Sequence, residues 1–290
     1  MKSANFVVLF VIVIGTSAPH TALSQNDSLT QHPTKVILRD GSELIGTIID
    51  RDSFSVQFTT SGGISMTIPS KEIRSAERLS GTVIGGTYVR WDPNNTRLFF
   101  APTARPLRRG QGYFSAYQVF FPFLAFGIGN YAILAGGISL FPGASSQLVY
   151  FAPKIIPVQT ENFHAAAGML YIAPTTGNND GAGIYYGVVS YGSQTASLTG
   201  GLGWGFSGSE TADRPILLLG AEYRLSNSTK FITENWLIPD SDADIISFGL
   251  RFFGNNLAAD LGLIRITSLK TDGFPFIPWL GFAYNFGTTR

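Results

Sequence analysis

Apolar and polar residues alternate one by one along much of the last two-thirds of the chain. A period of two is the pattern of a β-strand whose two faces meet different surroundings. The final segment, Phe276–Phe286, shows it most clearly, with one largely aromatic face made of Phe276, Pro278, Leu280, Phe282, Tyr284 and Phe286. Its other face holds residues that become smaller and partly polar towards the end: Ile277, Trp279, Gly281, Ala283 and Asn285. The pattern therefore predicts a final strand with one apolar face.

Similar segments recur upstream at about the 9–11 residues with which a tilted strand crosses a bilayer. They predict about twelve strands, an even number that returns both ends of the array to one side. These strands are Arg97–Thr103, Gly112–Phe126, Tyr131–Phe141, Gln147–Gln159, Phe163–Ala173, Gly183–Tyr191, Ala196–Ser207, Pro215–Leu225, Lys230–Ile238, Asp244–Phe253, Leu257–Ile266 and Phe276–Phe286.

The connections between these strands alternate in length. The short ones are predicted at Gly127–Asn130, Thr160–Asn162, Gly192–Thr195, Ser226–Thr229 and Gly254–Asn256. Those predicted at the other end are mostly longer: Ala104–Gln111, Pro142–Ser146, Pro174–Ala182, Gly208–Arg214, Pro239–Ala243 and Thr267–Pro275. Short turns on one side and long loops on the other are typical of transmembrane barrels. We therefore predict an all-β fold, an antiparallel transmembrane β-barrel of about 12 strands preceded by a small periplasmic β domain.

Composition agrees with this fold. Only 13% of the residues are charged, against about 25% in soluble domains, yet mean hydropathy is only +0.17. A barrel explains both values, because only alternate residues meet lipid. The absence of cysteine fits an oxidising compartment. A net charge of +1 gives no reason to expect a nucleic-acid partner.

The last strand resembles the closing strand of bacterial outer-membrane β-barrels. Their assembly signal ends in Gly, two residues, aromatic, one residue, aromatic, and this chain matches it at Gly281, Tyr284 and Phe286. The chain departs from this signal in two ways. Trp279 stands at a position that is usually polar, and a short tail, Gly287–Arg290, follows the final aromatic residue. The resemblance implies the cell outer membrane as location, and outer-membrane lipid and the barrel assembly machinery as partners.

The N-terminal third divides into a leader and a compact unit. Residues 1–24 have the pattern of a signal peptide, with Lys2, the apolar core Phe6–Ile14 and small residues before Gln25. Residues 25–79 contain short strands with Asp-Gly and Gly-Gly turns. The stretch VILRDGSELIGTI resembles SH3-like or Sm-like small barrels but lacks the Sm-type RNA signature. Residues 80–96 are predicted as a linker and 97–290 as the barrel.

Strand alternation also assigns charged residues to the lumen: Lys154, Glu222, Arg224, Arg251 and Asp260. Alternation leaves Glu234 ambiguous, and Glu234 is assigned to the lumen because a charge that faces the bilayer midplane is costly. One interpretation is a charge-lined constriction that sorts small solutes. The other is a polar filling in which these charges neutralise one another, because a small barrel can be packed solid by side chains.

No residues form a catalytic, cofactor-binding or metal-binding pattern. Cysteine is absent, and His164 opens a strand at the periplasmic end, the wrong end for the His–Ser chemistry of outer-membrane phospholipases. We therefore expect no enzyme and no cofactor. Two functions stay open: a narrow pore for small solutes, and a closed structural or interaction barrel whose periplasmic domain binds an envelope partner.

Overall fold

The computed structural model of the chain describes residues 32–177, 180–239, 241, 243–269 and 273–287. The predicted signal peptide, residues 1–24, lies outside the described residues. Apart from a 3₁₀ turn at Ser70–Glu72, the regular elements described are β-strands, in three sheets.

The first sheet has five antiparallel strands in the order β4-β3-β2-β1-β5. They are β1 (Pro33–Leu38), β2 (Glu43–Arg51), β3 (Ser55–Thr60), β4 (Ser65–Pro69) and β5 (Ile73–Arg78). The sheet buries its own apolar cluster of Val36, Ile48, Val56, Phe58 and Ile68. Gly46 is required for close approach, because a Cβ there would lie 2.0 Å from the carbonyl oxygen of Thr59. The likeness to SH3-like or Sm-like barrels stays a prediction.

A two-stranded hairpin, β6 (Gly81–Ile84) and β7 (Thr87–Arg90), follows this sheet. The sequence predicts one strand at Thr82–Arg90, but Gly85 and Gly86 both have positive φ and turn the chain back there. The hairpin leads directly to the end of the barrel, where the backbone N–H of Arg90 donates to Asn227 Oδ1.

The remaining strands form one closed antiparallel barrel. They are β8 (Gly112–Tyr117), β9 (Phe121–Ile128), β10 (Ala132–Ile138), β11 (Leu148–Phe151), β12 (Lys154–Gln159), β13 (Phe163–Pro174), β14 (Ala182–Gly192), β15 (Ala196–Ser207), β17 (Ile216–Ser226), β18 (Thr229–Leu237), β19 (Ile245–Phe253), β20 (Leu257–Ile266) and β21 (Ile277–Phe286), with a short β16 (Glu210–Thr211) beside β15.

Closure and strand number follow from the register. Both β11 and β12 pair with β10 and β13, so together they are one broken strand. The last strand pairs with the first, from Gly281 opposite Tyr117 to Phe286 opposite Gly112. The predicted antiparallel barrel of twelve strands is confirmed.

Two of the predicted strands are wrong, but the two errors cancel, so that the predicted number of strands is still twelve. Arg97–Thr103 is not a strand of the barrel wall, since its described pairing is an isolated bridge between Arg97 and Pro102. The predicted strand Gly112–Phe126 is two strands, β8 and β9, which turn at Gln118 and Val119 with φ of 48° and 65°. That turn contains no glycine; the Gln118 side chain fixes it by donating to the Pro278 carbonyl and accepting from the Leu280 N–H.

We call the end at which β8 begins and β21 ends the terminal end, and the other the distal end. Described turns at the terminal end are short, as at Asn227–Ser228, and the connections after β10, β13, β15, β18 and β20 at the distal end are longer. Arg108 and Arg109, predicted in a distal loop, lie at the terminal end, where the Arg109 N–H donates to Asn130. The segment before β8 enters the barrel from this end, which no strand pattern indicates.

Exposure follows the alternation along the strands. Leu219, Tyr223 and Phe252 point outward and are exposed, while Leu218 and Glu222 point inward and are buried. The outer wall is therefore apolar, as contact with hydrocarbon requires.

Candidate functional site: a lumen filled by residues 92–107

Residues 92–107, which we call the plug, lie inside the barrel. They enter from the terminal end after Arg90 and return to the same end, where Leu107 and Arg108 lie beside Gly127 at the end of β9. Asn94, Leu98 and Ala101 are completely buried. The plug is thus a re-entrant loop whose turn, residues 98–102, points towards the distal end.

A chain of seven side chains with alternating charge joins the plug to the wall. In order they are Arg97, Asp260, Arg251, Asp92, Lys230, Glu222 and Arg105. The plug supplies Asp92, Arg97 and Arg105, and the adjacent strands β17 to β20 supply the others.

The contacts along this chain are short. Asp260 accepts from Arg97 at 2.5 Å and from Arg251 at 2.6 Å, and Glu222 accepts from Arg105 at 2.7 Å. Asp92 lies 3.2 Å from the Arg251 guanidinium and 3.3 Å from Lys230 Nζ. Removing either partner of a buried pair leaves an uncompensated charge, at about 3–5 kcal/mol. The chain therefore fixes the position of the plug.

Two further wall residues bind the plug main chain. Lys154 Nζ donates to the carbonyls of Thr96, Thr103 and Arg105 at 2.7–3.3 Å. Glu234 Oε2 accepts the N–H groups of Phe100 and Ala101 at 2.9 and 3.0 Å. Backbone groups inside a barrel need such partners, because an unpaired buried N–H or C=O costs about as much as a lost hydrogen bond.

Apolar contacts hold the turn of the plug. Leu98, Phe99 and Ala101 form one buried cluster with wall residues that include Tyr117, Leu218, Ile232 and Trp279. The Arg97 guanidinium lies 5.1 Å from the centre of the Tyr117 ring, within range of a cation–π contact. The plug therefore has a charged base and an apolar tip.

The six charged residues predicted for the lumen separate into two groups. Lys154, Glu222, Glu234, Arg251 and Asp260 are all buried inside the barrel and each contacts the plug. Arg224 lies at the terminal rim, where it donates to the carbonyls of Arg90 and Gln194. A role of these charges in sorting solutes stays a prediction. In this structure the five buried charged residues bind the plug, which is part of the same chain.

Four residues of the charged chain are absent from the prediction. Lys230 lies four positions before Glu234 and therefore shares its face of β18, so strand alternation was a sufficient signal for it. Arg97 lies in Arg97–Thr103, which is predicted as a wall strand, and Asp92 and Arg105 lie on either side of that segment. Their position inside the barrel depends on tertiary contacts.

The three residues of the assembly signal lie in β21, the strand that closes the wall. Gly281 points inward beside Asp260, with a hypothetical Cβ 3.1 Å from Oδ2, and Tyr284 points outward, 52% exposed. Phe286 pairs with Gly112 at the terminal end and its ring lies 5.5 Å from that of Phe126. Their role in assembly stays a prediction.

Two other kinds of feature are absent from the described residues. None of the described helical segments is long and apolar enough to cross a membrane. In the same part of the chain, no group of three or more His, Cys, Asp or Glu side chains is arranged to hold a metal ion.

Gly220 in β17 provides a direct test of how the plug is seated. A Cβ at Gly220 would lie 2.1 Å from Leu98 Cδ1, so Gly220→Leu should push the turn of the plug away from the wall. Because the chain has no cysteine, Ala101→Cys can be labelled alone with a membrane-impermeant maleimide. We expect labelling about ten-fold faster in the Gly220→Leu background.

Two controls make this labelling specific. Gly187 has no atom within 4 Å of a hypothetical Cβ, so Gly187→Leu should leave the labelling rate unchanged. Adding Leu98→Ala to Gly220→Leu should restore slow labelling. Fast labelling of Ala101→Cys in the otherwise unchanged protein would show that the plug is not seated.

Comparison with known proteins identifies no family. No protein-family model and no curated protein matches the chain. Among solved structures, it is similar to the KdgM porin (8% identity, 61% of this chain and 95% of that chain, TM-score 0.42). It is also similar to the NanC porin (9%, 61% and 97%, TM-score 0.41) and to a mutant porin of Rhodopseudomonas blastica (10%, 89% and 99%, TM-score 0.34). At these TM-scores the likenesses carry no argument about function, and the barrel rests on its own strand register.

Proposed function

We propose that this protein is an outer-membrane β-barrel with a narrow path for small solutes, which residues 92–107 close and can open. The observation that carries the proposal is the independence of plug and wall. Every described ladder of the barrel, including the pairing of β21 with β8, is made without a plug residue. The plug can therefore move without breaking the wall.

The chemistry of the plug contacts supports a closure that opens. A permanently filled barrel needs only apolar packing, and replacing buried ion pairs by apolar residues is often neutral or stabilising. Here, nine buried charged side chains among the described residues belong to the plug or contact it. Ion pairs specify one seated position. Charged groups also lose less free energy than apolar groups do when the plug leaves the lumen and water enters it.

The outer wall supports the location. Its exposed side chains are largely apolar or aromatic, as for a strand surface in lipid. We place the barrel in the cell outer membrane, inserted by the barrel assembly machinery through the signal at Gly281, Tyr284 and Phe286. The terminal end and the N-terminal sheet then face the periplasm.

Solute flux tests the proposal. Liposomes that contain the wild-type protein should swell slowly in an isotonic pentose solution, because the plug occupies the lumen. Gly220→Leu, which displaces the plug, should raise the swelling rate several-fold, and Gly187→Leu should not. A Gly220→Leu protein that is folded, and whose plug labels rapidly, but that passes no solute would contradict the proposal.

The second function is a closed interaction barrel, and one observation favours it. The N-terminal sheet exposes two large apolar side chains, Phe54 at 85% and Ile64 at 66%, which suit contact with an envelope protein. Crosslinking from a photoreactive residue at position 54 in intact cells should recover such a partner. Recovery of a partner, together with the absence of solute flux in every plug variant, would favour this function over the pore.

A further inference from the structure

The distal half of the lumen has an apolar lining. Side chains that point inward there include Phe121, Leu170, Ile184, Ile216, Ile264 and Ile277, each partly exposed. Lumens of transmembrane barrels are ordinarily polar. Each of the nine buried charged side chains described belongs to the plug or contacts it.

The plug presents a phenyl ring to this space. Phe100 is 44% exposed at the tip, although its neighbours Leu98 and Phe99 are buried. Its ring meets that of Tyr117 edge-on, with 6.0 Å between centres. Exposed apolar surface in water costs about 25 cal/mol per Å², so an apolar molecule on this floor would be stabilised.

Two cavities open on either side of Phe100 and Pro102, with volumes of about 80 and 60 Å³. The larger is lined in part by Arg97 and Lys154. The smaller is lined by hydrocarbon side chains and glycine backbone, together with Tyr186 and Trp236. The Trp236 indole N–H already donates to Glu234. Pockets for drug-sized ligands measure about 300 Å³ or more, so the smaller cavity suits a thin alkyl chain rather than a drug-sized ring system.

Glycines in the wall create the smaller cavity. Gly201 and Gly203 of β15 both line it, and a Cβ at Gly203 would lie 2.5 Å from Ile184 Cδ1. Glycine inside a strand weakens it and often marks a place where a ligand approaches closely. A larger side chain at position 203 would fill the space.

We propose that the distal half of the lumen binds the alkyl chain of an apolar or amphipathic molecule, with Phe100 and Pro102 of the plug as its floor and Ile184 and Leu218 as its wall. This inference rests on the proposed function, because it names the class of molecule that reaches the plug while the pore is closed. The chain comes either from a free apolar solute or from the acyl chain of a lipid.

Fluorescence quenching of Trp236 tests this inference in the folded protein in lipid vesicles. The other three tryptophans, Trp91, Trp204 and Trp279, are replaced by Phe, and 1-bromooctane is added, because bromine quenches indole fluorescence on contact. We expect saturable quenching. Gly203→Leu should reduce its initial slope at least five-fold, and Gly200→Leu, where a Cβ lies no closer than 4.0 Å to another atom, should leave it unchanged.

A second arm identifies the source of the chain. Vesicles made from lipids with brominated acyl chains should quench Trp236 without added probe if a lipid supplies it. Quenching by 1-bromooctane alone identifies a free apolar solute. Equal quenching of the Gly203→Leu and Gly200→Leu proteins in both arms would overturn the inference. It would leave the pore intact if Gly220→Leu still passes pentose, whereas saturable quenching without flux in any plug variant would contradict only the pore.

Discussion

Replacing residues 94–106 by thirteen Gly and Ser residues should convert a closed barrel into a conducting channel. The replacement removes Arg97 and Arg105 with their ion pairs, and the buried apolar tip around Phe99. A Gly/Ser segment of this length is a flexible coil and has no charged or apolar side chains with which to bind the wall. In planar bilayers we expect stable openings from the variant and a closed state for most of the recording from the wild type.

The wall should survive this replacement, because its ladders contain no plug residue. The control is a variant with the same substitutions at 94–106 that also carries Gly187→Leu, which should conduct equally. Heat-dependent mobility on a gel, read before the recordings, shows whether each barrel is folded. A folded variant that remains closed would mean that wall side chains alone fill the lumen, and it would support the structural barrel.

The second large effect concerns stability. Asp260→Leu should lower the free energy of unfolding by about 3–5 kcal/mol, because it leaves the buried guanidinium of Arg97 without its carboxylate and that of Arg251 with Asp92 alone. Asp260 is completely buried and accepts from both Arg97 and Arg251. Urea unfolding in detergent, followed by tryptophan fluorescence, measures the change as a lower midpoint.

Compensating substitutions separate loss of charge balance from loss of packing. Adding Arg97→Leu and Arg251→Met to Asp260→Leu removes the excess positive charge and leaves Asp92 paired with Lys230. This variant should recover most of the lost stability, since replacing buried ion pairs by apolar residues is often neutral or better. Asp260→Asn should fall between the wild type and Asp260→Leu. A single Asp260→Leu variant that loses less than about 1 kcal/mol would show that water reaches these groups.

Several features followed from sequence patterns alone. The alternation in segments such as Ile216–Ser226 and Leu257–Ile266 was enough to predict strands and their faces, because a period of two has one structural meaning once one face meets lipid. The lengths of the connections then predicted which strand ends lie at the same end of the barrel. Lys154, Glu222, Arg251 and Asp260 were placed inside the barrel by the same alternation. Glu234 was placed there by the cost of a charge that faces lipid.

Other features were decided only by the tertiary structure. The turn at Gln118 and Val119 has none of the residues that usually mark turns, and contacts with β21 hold it. Arg97–Thr103 was wrongly predicted as a wall strand, because the environment of residues 92–107 is made by strands far along the chain, as in the pair of Arg97 with Asp260, 163 positions apart. The alternating strands could therefore be predicted from the local sequence. The segment that fills the lumen could not be predicted in this way, since its position depends on which charges and apolar groups are brought together when the barrel closes.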